Sequence, residues 1–98
     1  MRVVAEVLRD VHPDLLLALA SELAKREHTV ALLAMGDSGQ LIFAQHSSAG
    51  KDMAALLKQV FPTFPGKGGG TRDFVRAKLS DAGASAAAVT LARELLVG

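Results

Sequence analysis

Seven consecutive residues, Thr29-Val30-Ala31-Leu32-Leu33-Ala34-Met35, carry no charge, and six of them are apolar. A strand with one wet face alternates polar and apolar side chains, so a run without alternation belongs to a strand covered on both sides. This predicts a central strand and favours substantial helical cover on each face of its sheet.

The flanking segments supply the rest of such a domain. Val3-Val4-Ala5-Glu6-Val7-Leu8 is short and β-branched and ends at Asp10, His12-Pro13 and Asp14, a strand followed by a turn. Pro13 suits a first helical turn, and Leu15, Leu16, Leu19, Ala20 and Leu23 then recur at helical spacing. After the central strand, Gly36-Asp37-Ser38-Gly39 tolerates positive φ, and Gln40-Leu41-Ile42-Phe43-Ala44-Gln45 completes an antiparallel hairpin. Ser47 or Ser48 is the expected cap of a second helix, whose Met53, Leu56, Leu57, Val60 and Phe61 fall on one face before Pro62 and Pro65 stop it. Beyond a glycine loop, Val75, Ala77 and Leu79 alternate with Arg76 and Lys78 as a half-exposed strand. Asp81-Ala82-Gly83 turns the chain, and Ser85 opens a third helix with Ala88, Leu91, Ala92, Leu95 and Leu96 on one face. The expected architecture is a small mixed-sheet α/β domain of order β-α-β-β-α-loop-β-α, its first two strands parallel.

The 98 residues suit one domain, which we read as 1–98. Because a strand starts almost at Met1 with no preceding element, the expectation is a domain excised from a longer protein. The absence of cysteine excludes a disulfide framework and a thiolate metal site, and it fits a cytoplasmic protein. No uncharged apolar run reaches the roughly 18 residues of a membrane span, so a membrane partner is not expected. Net charge is close to neutral but unevenly placed: residues 1–50 hold four basic and six acidic side chains, and residues 51–98 seven and four. Lys51, Lys58, Lys67, Arg72, Arg76 and Lys78 make the stretch around the glycine loop attractive to anions.

That loop, Gly66-Lys67-Gly68-Gly69-Gly70, has four glycines in five residues. Glycine frees the backbone to take positive φ and lets N–H groups approach an anion closely. On glycine content alone a flexible connector is the commoner meaning. The nucleotide-hydrolase phosphate loop needs Ser or Thr where Gly68 stands, and a dinucleotide fingerprint follows a strand rather than a helix. Gly66-Lys67-Gly68-Gly69 also satisfies the Gly-x-x-Gly of a KH domain, but the strand expected next argues against that fold.

With its continuation Thr71-Arg72-Asp73-Phe74-Val75-Arg76-Ala77, the loop resembles the Gly-x-Gly-Gly-Gly-x-x-Asp-x-x-x-Ala signature of the DHH-associated domain, most closely its alanyl-tRNA synthetase branch. The similarity in element order runs from about Val3 to Leu96. The resemblance implies a C-terminal globular domain that contacts the outer corner of tRNA and helps link aminoacylation and editing parts, with the chemistry elsewhere. The synthetase form usually reads Arg-Pro-Asp-Met-Ala-Gln-Ala over 71–77; this chain keeps Asp73 and Ala77. Phosphoesterase relatives place His after the glycines, where Thr71 stands, and their metal-binding Asp-His-His module is absent from these residues.

Other constellations carry less. His12, His28 and His46 are scattered and read as turn or surface residues rather than zinc ligands. His46-Ser47-Ser48 reads as helix capping rather than a nucleophile with its base. Asp73 is expected to support the loop. With four phenylalanines and no Tyr or Trp, a base-stacking platform is not expected, and Phe43, Phe61, Phe64 and Phe74 are assigned to the interior.

The resulting expectation is an RNA-binding accessory module with no catalytic residue, no metal and no cofactor of its own. The amides of Gly68, Gly69 and Gly70, with Lys67 and Arg72, contact phosphate or ribose, and Arg76 and Lys78 add charge. Its expected partners are alanine tRNA, the remaining domains of a parent synthetase and, as a further candidate, a second copy of itself. The alternatives are the substrate-binding domain of a DHH-type phosphoesterase and an assembly domain with no nucleic-acid role.

Overall fold

The computed structural model describes residues 1–97. Its strands are β1 (Arg2–Leu8), β2 (Thr29–Met35), β3 (Gln40–Gln45), β4 (Gly66–Gly70) and β5 (Phe74–Leu79). Its α-helices are α1 (Pro13–Ala24), α2 (Met53–Val60) and α3 (Ser85–Val97). The expected order stands, and the glycine segment adds a strand of its own. The sheet runs β1-β2-β3-β5-β4. Strands β1 and β2 are parallel, as the intervening helix requires, and every other pair is antiparallel.

All seven residues of β2 are buried. Successive strand residues point to opposite faces, so Val30, Leu32 and Ala34 enter one core and Ala31, Leu33 and Met35 the other. The first core is closed by α2 and α3 over Leu41, Phe43, Val75, Ala77 and Leu79. The second is closed by α1 alone, through Leu16, Ala20 and Leu23 over Ile42 and Ala44. Helix α1 packs on β2 and β3, leaving the β5 and β4 part of its face uncovered. That asymmetry creates the space in which a site is built.

Helix phase differs from expectation at three leucines. Leu15 and Leu95 are exposed and Leu91 is half-buried, because the buried stripes are Leu16-Ala20-Leu23 and Ser85-Ala88-Val89-Ala92. Val89 takes the place assigned to Leu91: the stripe at 85, 88, 89 and 92 holds i, i+3, i+4 and i+7 spacing, turned away from 91 and 95. Phe43 is fully buried, while Phe61, Phe64 and Phe74 are half-buried against the two cores.

The cap of α2 is also a correction. Asp52 is the N-cap, its Oδ1 accepting from the Ala55 amide at 3.1 Å. Ser47 and Ser48 lie instead in a separate 3-10 turn, Ser47–Ala49, ended by Gly50 at φ 73°. The His46 ring caps that turn by accepting from the Ser48 amide. Ser48 Oγ in turn accepts from the His28 amide at 2.9 Å and lies 2.7 Å from His46 Nδ1. With its hydroxyl committed to these two neighbours, Ser48 ties the start of β2 to the end of β3. Asp52→Ala is expected to lower stability by about 1 kcal/mol in a denaturant titration, the usual value of such a cap.

Candidate nucleic-acid interface

The glycine segment is an extended edge strand paired with β5, not a loop. Its register opposes Gly66 to Leu79, Lys67 to Lys78, Gly68 to Ala77, Gly69 to Arg76 and Gly70 to Val75. A Cβ at Gly68 would stand 2.2 Å from the Arg76 carbonyl oxygen and 2.5 Å from Ala77 Cα. At Gly66 and Gly70 it would fall 2.5 Å and 2.2 Å from the carbonyl oxygens of Lys78 and Phe74. These three glycines are therefore demanded by close strand pairing. Gly69 differs: a Cβ there would meet nothing within 4 Å.

The ladder also decides which amides are free. The Thr71 amide donates to Phe74 O at 2.8 Å, and the Ser80 amide to Pro65 O at 2.9 Å. Antiparallel alternation then directs the N–H and C=O groups of Lys67 and Gly69 into β5 and turns those of Gly66, Gly68 and Gly70 outward. The expected trio of amides is thus divided. Gly68 and Gly70 present their N–H groups at the sheet edge, and Gly69 uses its own in the ladder.

Side chains follow the same parity. Val75, Ala77 and Leu79 enter the core under α2 and α3, so Arg76 and Lys78 project from the opposite face, beside the first turn of α1. Lys67, directly across from Lys78, shares that face. Lys67, Arg76 and Lys78 line a cleft of about 240 Å³ with Pro13, Leu16, Gln40 and Ile42. Among the described residues none of these three cations makes an ion pair. Like charges placed directly opposite on neighbouring strands repel, so the cleft carries an uncompensated positive field suited to an anion.

Arg72 is not part of this cluster. It lies in the turn at the far end of β4, its Nη1 3.3 Å from Asp73 Oδ1. Lys58 belongs to α2 on the other layer. Asp73 supports the turn as expected, since its Oδ1 also accepts from Gln45 Nε2 at 2.8 Å.

Gln45 is the residue that reading the sequence missed. Only 3% exposed at the end of β3, it directs Nε2 toward Asp73 Oδ1 and the carbonyls of Lys51 and Arg72, while Oε1 accepts from the Lys51 amide at 3.1 Å. This one amide group fastens the entry to α2 to the β4–β5 turn. The sequence signal for it was an amide side chain closing an otherwise apolar strand. Pro13 and Gln40, which wall the cleft, had no comparable signal.

The family model described as the DHHA1 domain matches residues 1–98, and the chain belongs to that family. Among solved structures, the C-Ala domain of Aquifex aeolicus alanyl-tRNA synthetase is similar at a TM-score of 0.75 and 24% identity, over 98% of this chain and 91% of that one. At that identity the likeness establishes a shared fold. A comparison with curated proteins finds no match.

Proposed function

We propose that this chain is a non-catalytic accessory domain that binds the backbone of a tRNA, as the C-terminal part of an alanyl-tRNA synthetase acting in the cytoplasm. The observation that carries the reading is the cleft where Lys67, Arg76 and Lys78 face one another without a carboxylate. The membership in the DHHA1 family and the fold shared with a synthetase C-Ala domain support it. Phosphate contacts of this kind position a nucleic acid without reading its sequence. The outward amides of Gly68 and Gly70 extend the donor surface along the sheet edge, and Arg72 adds a cation at its far end. Alanine tRNA is the RNA this reading names, and a ligase is the parent enzyme.

The test is tRNA binding across a salt series. Lys67→Ala, Arg76→Ala and Lys78→Ala are each expected to weaken binding several-fold and to reduce the salt slope by about one for every phosphate no longer neutralised. Arg72→Ala should do less. Unchanged affinity and slope in the three cleft variants would remove the cleft from the interface.

A further inference from the structure

The side chains around the cleft are of two kinds, with one exception. Lys67, Arg76 and Lys78 donate hydrogen bonds and accept none, the other wall residues are apolar, and Gln40 alone carries an amide, donor and acceptor together. Gln40 is half-buried at the start of β3. Among the described residues its side chain has no hydrogen-bond partner. Register fixes where that amide stands. Gln40 opposes Lys78 on β5, and Lys78 opposes Lys67 on β4. Directly opposed residues share a face of the sheet with their Cβ atoms about 5 Å apart, so one amide and two ammonium groups form a row across three strands.

A phosphodiester answers only part of this row. Its oxygens accept hydrogen bonds and donate none, so Lys67 and Lys78 hold it while the Gln40 carbonyl oxygen is left facing negative charge. The amide requires a group that both donates and accepts. On a nucleic-acid backbone that group is the ribose 2′-hydroxyl, present in RNA and missing from DNA. A base edge also satisfies an amide, but the cleft lining contains no aromatic ring on which a splayed base stacks. We infer that Gln40 makes the cleft selective for RNA over DNA, exchanging hydrogen bonds with a ribose 2′-hydroxyl while Lys78 and Lys67 hold an adjoining phosphate. Such selection presupposes the tRNA binding proposed for the cleft.

The apolar walls suit the same occupant. Sugar carbons are apolar, and Pro13, Leu16 and Ile42 offer them a surface beside the polar row, the usual division of labour in a binding cleft. Ile42 lies two residues beyond Gln40 and opposes Arg76, so the next row of the sheet again sets an uncharged side chain beside a cation. The roles of the two kinds of residue separate in experiment. Cations that neutralise phosphates set the salt dependence of binding, whereas exchanging Gln40 for another uncharged side chain leaves the charge of the cleft as it is.

The experiment measures binding of alanine tRNA and of DNA of the same sequence, side by side, to the 98-residue chain and its variants, with circular dichroism confirming each fold. The parent is expected to prefer the RNA. Gln40→Met keeps the length of the side chain and removes both polar atoms; it should cut that preference about tenfold by weakening RNA binding alone, with the salt slope unchanged. Lys78→Ala should instead weaken both nucleic acids alike and lower both slopes. Equal loss of RNA and DNA binding in Gln40→Met would mean that the amide reads a base edge, and it overturns the inference. An unchanged preference overturns it too, while a loss in Lys78→Ala leaves phosphate binding by the cleft standing. RNA binding that no cleft variant alters removes the cleft from the interface and the role of Gln40 with it.

Discussion

Gly68→Ala is expected to detach β4 from the sheet while leaving the rest of the fold in place. The added methyl would stand 2.2 Å from the Arg76 carbonyl oxygen, backbone that cannot swing aside as a side chain could. Gly68 also sits at φ 157°, where a side chain is strained. Together these effects cost on the order of 2 to 3 kcal/mol, comparable to what a five-residue edge strand can contribute. The Arg76 and Lys78 amides, which bond to β4, should lose protection from solvent exchange, while β2 amides keep theirs. Anion binding in the cleft should fall as well, because Lys67 is carried on β4. Gly69→Ala is the control: its methyl enters open space, and stability should change by less than about 0.5 kcal/mol. If the two variants exchange and melt alike, the close pairing is not what requires glycine at 68.

Gln45→Leu is expected to lower stability by about 3 kcal/mol, although leucine is more apolar and similar in size. The loss comes from partners rather than from Gln45 itself. The Lys51 amide and carbonyl and the Asp73 carboxylate would lose a buried partner, and each group left unsatisfied costs about 1 to 3 kcal/mol unless water reaches it. A denaturant titration measures the effect. Gln45→Glu separates the contributions, because it keeps the acceptor for the Lys51 amide and sets a second carboxylate against Asp73. If Gln45→Leu unfolds within about 0.5 kcal/mol of the parent, the clamp on the 71–73 turn carries no stability.

These two residues mark where legibility in the sequence ends. The β2 run, the α2 stripe and the alternation in β5 are local patterns, and each predicts its element directly. A glycine run has no side-chain pattern, so only pairing with β5 reveals β4 as a strand. Asp52 and Ser48 are both good capping residues, and the choice depends on the 3-10 turn Ser47–Ala49, which takes up Ser48. Leu15, Leu91 and Leu95 sit at the margins of apolar arcs too broad to fix helix phase. In the cleft, the shared face of Arg76 and Lys78 follows from period two. The arrival of Lys67 beside them needs the cross-strand register, and Pro13 and Gln40 need the tertiary fold. Asp73 at its family spacing is explained by Gln45, a partner 28 positions away.

The strand order carries a consequence for synthesis. Because β5 lies between β3 and β4 in the sheet, the glycine segment has no strand to join when it first emerges from the ribosome. Its only neighbour is made of residues 74–79, which follow it. The parallel pair and the first hairpin can associate with α1 while this segment is still loose, since a chain made from its N-terminus first folds with whatever has already emerged. The cleft lined by Lys67, Arg76 and Lys78 is therefore the last part of the sheet to be completed. A chain released before residue 74 would carry Lys67 on a segment with no β5 to pair with, and without Arg76 and Lys78 beside it.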